Sequence, residues 1–263
     1  MDLNLDARVV LVTGANRGIG RAIARSVAAE GATVVVVGRD EAACADTVAE
    51  LGAGRASYLT GDVSRPEEAE RIVAAAVERH GRLDALVNNA GRFGGGPIMD
   101  LTPEALREGF DTKVVGALAL VQAARPALAR SDQARVVNIS GITAQRIMPG
   151  AAVTAMANSG MIALTAYLAR ELIGDAITVN CLIPGYVMTD PWRRRTEALA
   201  AAEGLDFETA KAEVFKRQDM GHARWGEPKE IADVAVFLLS AQAAFVNGAS
   251  FRVDGAQFMA VQR

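Results

Sequence analysis

The stretch Val9-Val10-Leu11-Val12-Thr13-Gly14-Ala15-Asn16-Arg17-Gly18-Ile19-Gly20 governs how the rest of this chain is read. A short β-branched run feeds straight into a glycine-rich turn, and an amphipathic segment follows. Glycines in such a turn permit positive φ, let the backbone approach a pyrophosphate, and let the following helix pack closely on the strand. The helix N-terminus offers unpaired N–H groups and a positive dipole end to phosphate. A glycine triplet alone is common in turns. Strand, glycines and helix in this order predict a dinucleotide site made by Gly14, Asn16, Arg17, Gly18, Ile19 and Gly20.

Outward from this motif the same rhythm repeats. Strands are predicted at Val9–Val12, Thr33–Val37, Ala56–Leu59, Ala85–Val87, Val136–Ile139, Ile177–Ile183 and Phe251–Val253. These runs do not alternate with polar residues, as expected of strands covered on both faces. Between them lie helical patterns, with Leu106, Phe110, Val114, Leu118 and Val121 on one and Met161, Leu164, Leu168 and Leu172 on another. The fold class is therefore α/β: a Rossmann-like, doubly wound parallel sheet of about seven strands with helices on both faces. Without repeats or a linker, residues 1–263 are expected to form one domain. The stretch from Tyr186 to about Trp225 has no strand and is expected to be a substrate lid, or else a solvated helical excursion.

Composition narrows the function. With 263 residues, 51% apolar and 22% charged, disorder is excluded. A net charge of −3 gives no electrostatic footprint for nucleic acid. The aliphatic runs are too short to span a bilayer, and no basic segment followed by an apolar stretch suggests a signal peptide. Cys44 and Cys181 predict buried thiols of a cytoplasmic protein, and two histidines and two cysteines that never cluster predict no metal site. His80 is expected to meet carbonyls at a helix end.

The choice of dinucleotide turns on the end of the second strand, Val37-Gly38-Arg39-Asp40. An acid there would bond a ribose 2′-hydroxyl and favour NAD. Gly38 removes it, while Arg39 and Arg17 supply guanidiniums suited to a 2′-phosphate, which favours NADP. Asp40 keeps NAD open unless it caps the next helix.

These motifs resemble the short-chain dehydrogenase/reductase family over essentially the whole chain, from Thr13-Gly14 to Val253-Asp254-Gly255. Asn88-Asn89-Ala90-Gly91 and Pro184-Gly185-Tyr186-Val187-Met188-Thr189 resemble two further family motifs. The resemblance implies cofactor contacts at Asp62, Val63, Asn89, Ala90, Gly91, Pro184, Gly185, Val187 and Thr189. It also implies a homotetramer built on the helices holding Leu106–Val121 and Met161–Leu172, with a dimer as the fallback.

The family's catalytic pair is a tyrosine with a lysine four residues on, which lowers the phenol pKa and holds the ribose. The chain has three tyrosines and four lysines against 24 arginines, and four residues after Tyr58, Tyr167 and Tyr186 stand Asp62, Glu171 and Asp190. By resemblance, Thr154 takes the tyrosine position and Asn158 the lysine position, where its amide can still bond a ribose hydroxyl. The serine position falls on Gly141, or on Ser140 with a one-residue shift, and Lys113 replaces the supporting asparagine. Lys113 can act as an acid, base or amine if desolvated, or pair with Asp111. Tyr186 is a candidate displaced acid or a packing residue. His222 lies near the lid, and Arg92, Arg146 and Arg193–Arg195 are candidates for an anionic small-molecule substrate.

Three functions remain open at this point: a divergent oxidoreductase acting on a small carbonyl or alcohol, a nucleotide-binding sensor or scaffold, and a non-redox lyase or isomerase.

Overall fold

The computed structural model describes residues 3, 5–52, 54–91, 94–217 and 224–258. Arg92 and His222 lie outside the described residues.

Seven parallel strands form one sheet: β1 (Val9–Thr13), β2 (Thr33–Gly38), β3 (Ala56–Thr60), β4 (Ala85–Asn88), β5 (Arg135–Ile139), β6 (Thr178–Pro184) and β7 (Ser250–Val253). Their order is β3-β2-β1-β4-β5-β6-β7, so the winding reverses between β1 and β4. Successive side chains of a strand point to opposite faces, and β1 shows why its run had to be continuously apolar. Val10 and Val12 enter the cluster built with Ile23, Ala24 and Val27 of α1 (Gly18–Ala29) and Ile231 and Val236 of α9 (Pro228–Leu239). Val9 and Leu11 enter the opposite cluster, with Ile72 of α3 (Pro66–His80), Leu120 of α5 (Gly116–Leu128) and Leu168 of α6 (Ala152–Glu171). Every strand position sought from the sequence is found, with no end shifted by more than one residue.

Local chemistry sets the helix ends. Asp40 caps α2 (Glu41–Leu51) by accepting from Ala43 N at 3.1 Å, and Thr102 caps α4 (Pro103–Phe110) through Ala105 N at 3.2 Å. Gly81 ends α3 in the left-handed region at φ 72°. His80 departs from expectation. Its Nε2 lies 2.8 Å from Ser57 Oγ rather than capping helix carbonyls, because Ser57 on β3 faces the end of α3.

The pattern from Leu106 to Val121 is interrupted. A π-helical turn, Asp111–Val115, joins α4 to α5. Such turns re-aim the side chains they carry, and this one carries Lys113. The segment Ala152–Asp175 is long and apolar enough, at mean hydropathy 1.3, to cross a membrane by composition. Its scattered polar residues hide it from a search for aliphatic runs. Here Met161 and Leu168 bury one face of it inside the protein.

Candidate functional site

A cleft of about 710 Å³ opens beyond the C-terminal ends of the strands, at the β1/β4 reversal. Open parallel sheets offer ligand sites at this position, because adjacent loops diverge there. The glycine turn forms its floor. Gly14 has φ 62°, and a Cβ on it would lie 2.9 Å from Asn89 Nδ2. Asn89 Nδ2 donates to Thr13 O at 2.9 Å and Gly14 O at 3.2 Å, and the N–H groups of Asn89 and Ala90 donate to Thr13 Oγ1 at 3.0 Å. Thr13 and Asn89 thus tie the turn to the end of β4. Gly20 does not line the cleft. It lies beneath it, where an added Cβ would fall 2.3 Å from Gly14 O, and lets α1 pack on the turn.

The remaining residues sought for the cofactor all border this cleft: Asn16, Arg17, Gly18, Ile19, Arg39, Asp62, Val63, Ala90, Gly91, Pro184, Gly185, Val187 and Thr189. Arg17 precedes α1 and places no side-chain cap on it, so the helix end stays open to an anion. Arg39 lies 3.8 Å from Asp62 Oδ2. Burial raises the Asp62 carboxyl, but bonds from Ser64, with Arg39 and Arg65 nearby, outweigh it and leave the pKa below its ordinary value. Asp40 is used in the α2 cap.

The middle of the cleft gathers Lys113, Ser140, Gly141, Thr154 and Asn158. Burial pushes the Lys113 ammonium down to about 8 from its ordinary 10.5. Among the described residues it has neither a hydrogen bond nor a carboxylate partner. Asp111, on the same turn, does not pair with it. The buried Cys181 thiol faces it and is pushed up to about 11, chiefly by burial. Thr154 Oγ1 donates to Gly94 O at 3.1 Å and so pins the loop after β4.

Ser140 borders the cleft but spends its hydroxyl on the α6 backbone. It donates to Asn158 O at 2.8 Å, bracing the end of β5 against α6. Gly141 presents no hydroxyl, and a Cβ on it would lie 2.7 Å from Asn158 Nδ2. A further hydroxyl here is Thr143, which sequence reasoning missed. It borders the cleft and accepts from Asn158 Nδ2 at 2.8 Å. Its place two residues after Gly141, in the loop leaving β5, was the available signal.

The stretch after β6 folds into α7 (Asp190–Glu203) and α8 (Phe207–Arg217). Tyr186, Met188, Phe215 and Trp225 form a buried cluster with Ile142, and Trp192 and Met148 pack against it. Tyr186 borders the cleft and packs in this cluster. Burial pushes its phenol up to about 12, although Arg146 and Arg195 oppose the shift, and its hydroxyl lies 3.1 Å from Met148 Sδ. Of the three-arginine run only Arg195 borders the cleft; Arg193 stacks over Phe207 and Arg194 is exposed. No group of three or more metal-ligating side chains occurs among the described residues.

Strand order, glycine turn and cleft define the Rossmann class of α/β folds. The family model described as enoyl-(acyl carrier protein) reductase matches residues 14–256. An uncharacterized oxidoreductase of Methylorubrum extorquens is 37% identical over 254 residues, covering 95% of this chain and 98% of the relative. A 3-oxoacyl-(acyl-carrier-protein) reductase of Vibrio cholerae is 31% identical over 257 residues, covering 98% and 100%. The crystal structure of L-sorbose reductase from Gluconobacter frateurii, complexed with NADPH and L-sorbose, superposes with a TM-score of 0.94 at 28% identity, covering 99% and 100%. The chain belongs to the short-chain dehydrogenase/reductase family of oxidoreductases.

Proposed function

We propose that this protein is an NADP(H)-dependent oxidoreductase that interconverts a small carbonyl compound and its alcohol, with Lys113 in place of the family's tyrosine as proton donor. The observation that carries this reading is the place of Lys113 in the cleft lining without a hydrogen-bond or carboxylate partner among the described residues, where burial pushes its pKa down to about 8. At neutral pH it holds a proton, and it releases that proton far more readily than a threonine hydroxyl or the Tyr186 phenol would.

Three features fit a dinucleotide. Gly14 and Gly18 take left-handed φ that their missing side chains allow, the N-terminus of α1 carries no side-chain cap, and Asn158 Oδ1 is buried without a partner among the described residues. The glycine turn and α1 would hold the pyrophosphate, Arg17 and Arg39 a 2′-phosphate, and Asp62 and Val63 the adenine. Asn158 Oδ1 would accept from a ribose hydroxyl, and Asn89–Gly91 with Pro184, Gly185, Val187 and Thr189 would enclose the nicotinamide end. Bound there, the cofactor supplies or accepts hydride. Thr143 orients the substrate oxygen through its hydroxyl, and Lys113 Nζ passes the proton to that oxygen in reduction and takes it back in oxidation. With Asp40 engaged in the α2 cap, the balance lies with NADP over NAD.

The same reading takes residues 186–225 as a substrate lid on a single domain. It assigns a homotetramer, with a dimer as fallback, supported by the exposed Met156 and Tyr167 on α6. The buried free thiols Cys44 and Cys181 fit a reducing, cytoplasmic setting. Fluorescence titration with NADPH and NADH, followed by turnover on a panel of ketones, aldehydes and alcohols, tests the proposal. Absence of NADPH binding at millimolar concentration would overturn it, and binding without any turnover would favour a sensor or a non-redox enzyme.

A further inference from the structure

We propose that the lid end of the cleft binds an organic anion, with Arg195 taking a carboxylate or phosphate of the substrate and the Tyr186, Trp192 and Met148 wall taking its apolar body. The proposal rests on the oxidoreductase reading only for where the reacting carbonyl lies.

Charge along the cleft is unevenly distributed. Among the described lining residues, the carboxylates Asp40 and Asp62 both stand at the end bordered by Gly38 and Arg39. Away from that end the described lining carries Lys113, in the middle, and Arg195, beside Trp192, and no carboxylate. Cations lining a stretch of cleft that holds no acid favour an anionic guest.

Arg195 is also set apart from its neighbours. Its guanidinium lies 5.1 Å from the Trp192 ring centroid and makes no ion pair among the described residues. Stacking on an aromatic face leaves the in-plane N–H groups free, and it fixes the fork so that little rotamer entropy is lost on binding. Arg193, two residues earlier, points elsewhere and stacks 5.5 Å from the Phe207 centroid. Trp192 in turn lies 4.9 Å from Tyr186 between ring centroids, which makes a continuous apolar wall beneath the cation. The field of Arg195 reaches the Tyr186 phenol, where it acts together with Arg146. An apolar wall capped by a planar cation suits an amphipathic anion and disfavours a neutral polyol, whose hydroxyls would meet the wall unpaired.

The two tryptophans of the chain, Trp192 and Trp225, have ring centroids 5.3 Å apart in this cluster, so their emission reports this end of the cleft. The full-length protein is titrated with benzoate, phenyl phosphate and the neutral isostere benzamide, with no nucleotide added. At least one anion should give a saturable change and bind about tenfold or more tighter than benzamide, the worth of one charge-assisted pair. The tighter of the two anions identifies the group as carboxylate or phosphate. Arg195→Gln should abolish the preference over benzamide, and Arg194→Gln should keep it. Benzamide binding as tightly as both anions, no response to any of the three probes, or a preference that survives Arg195→Gln would each overturn the proposal. Because nucleotide is absent, the result is distinguishable from failure of the NADPH titration.

Discussion

Asn158 on α6 donates from Nδ2 to Thr143 Oγ1 at 2.8 Å, while its own buried Oδ1 meets no partner among the described residues. A buried polar atom without a partner costs stability, and an amide anchored at one end holds the other end in a fixed place. This pair therefore fixes the orientation of the Asn158 amide, a residue that borders the cleft.

Asn158→Ala removes both the anchored donor and the orphaned acceptor. The unliganded protein should lose little stability, since an unpaired group leaves with the pair. NADPH affinity should fall by about 1 kcal/mol, the worth of one hydrogen bond. Thermal unfolding with and without NADPH checks both halves: a large loss without ligand, or an unchanged gain with it, would contradict the assignment.

Lys113 makes stability depend on pH with a definite sign. Its folded pKa is about 8 against an ordinary 10.5, so between these values the unfolded chain holds more protons than the folded one. Relative to Lys113→Met, the stability of the native sequence should therefore rise as pH climbs from about 8 toward 10.5, and below 8 the full burial cost persists. Urea unfolding of both proteins across this range measures it. Carbonyl reduction should fall as pH passes through about 8 and should be largely lost in Lys113→Met.

Arg39→Ala should separate the two nucleotides. Removing a guanidinium that would face a 2′-phosphate should weaken NADPH binding by about 1.5 to 3 kcal/mol and leave NADH unchanged. Parallel fluorescence titrations decide it; equal losses for both would move the 2′-phosphate contact elsewhere.

Gly20→Ala tests the packing of the glycine turn. The new Cβ would sit 2.3 Å from Gly14 O and 2.4 Å from Asn89 Nδ2, so either α1 or the turn must shift. Overpacking of this kind costs about 1 to 3 kcal/mol, readable as a lower urea midpoint with an unchanged slope.

The sequence by itself determined the class of fold, the parallel strands, and the absence of a Tyr-x-x-x-Lys pair. Continuous β-branched runs such as Val9–Val12 can be satisfied only between two layers of helices, and a glycine turn joining strand to helix carries its conformation in its own residues. These are short-range properties, so they are legible in order along the chain. Only the tertiary structure decided what the hydroxyls and cations do. Ser140 and Thr143 offer the same hydroxyl and both border the cleft, yet one bonds the backbone of α6 and the other the side chain of Asn158. Arg193 and Arg195 share one run, but the helical twist sends them to different aromatic partners, Phe207 and Trp192. Lys113 owes its lowered pKa to burial across a π-helical turn that no spacing rule announces. Burial and partnership depend on residues distant in sequence, and only folding brings those together.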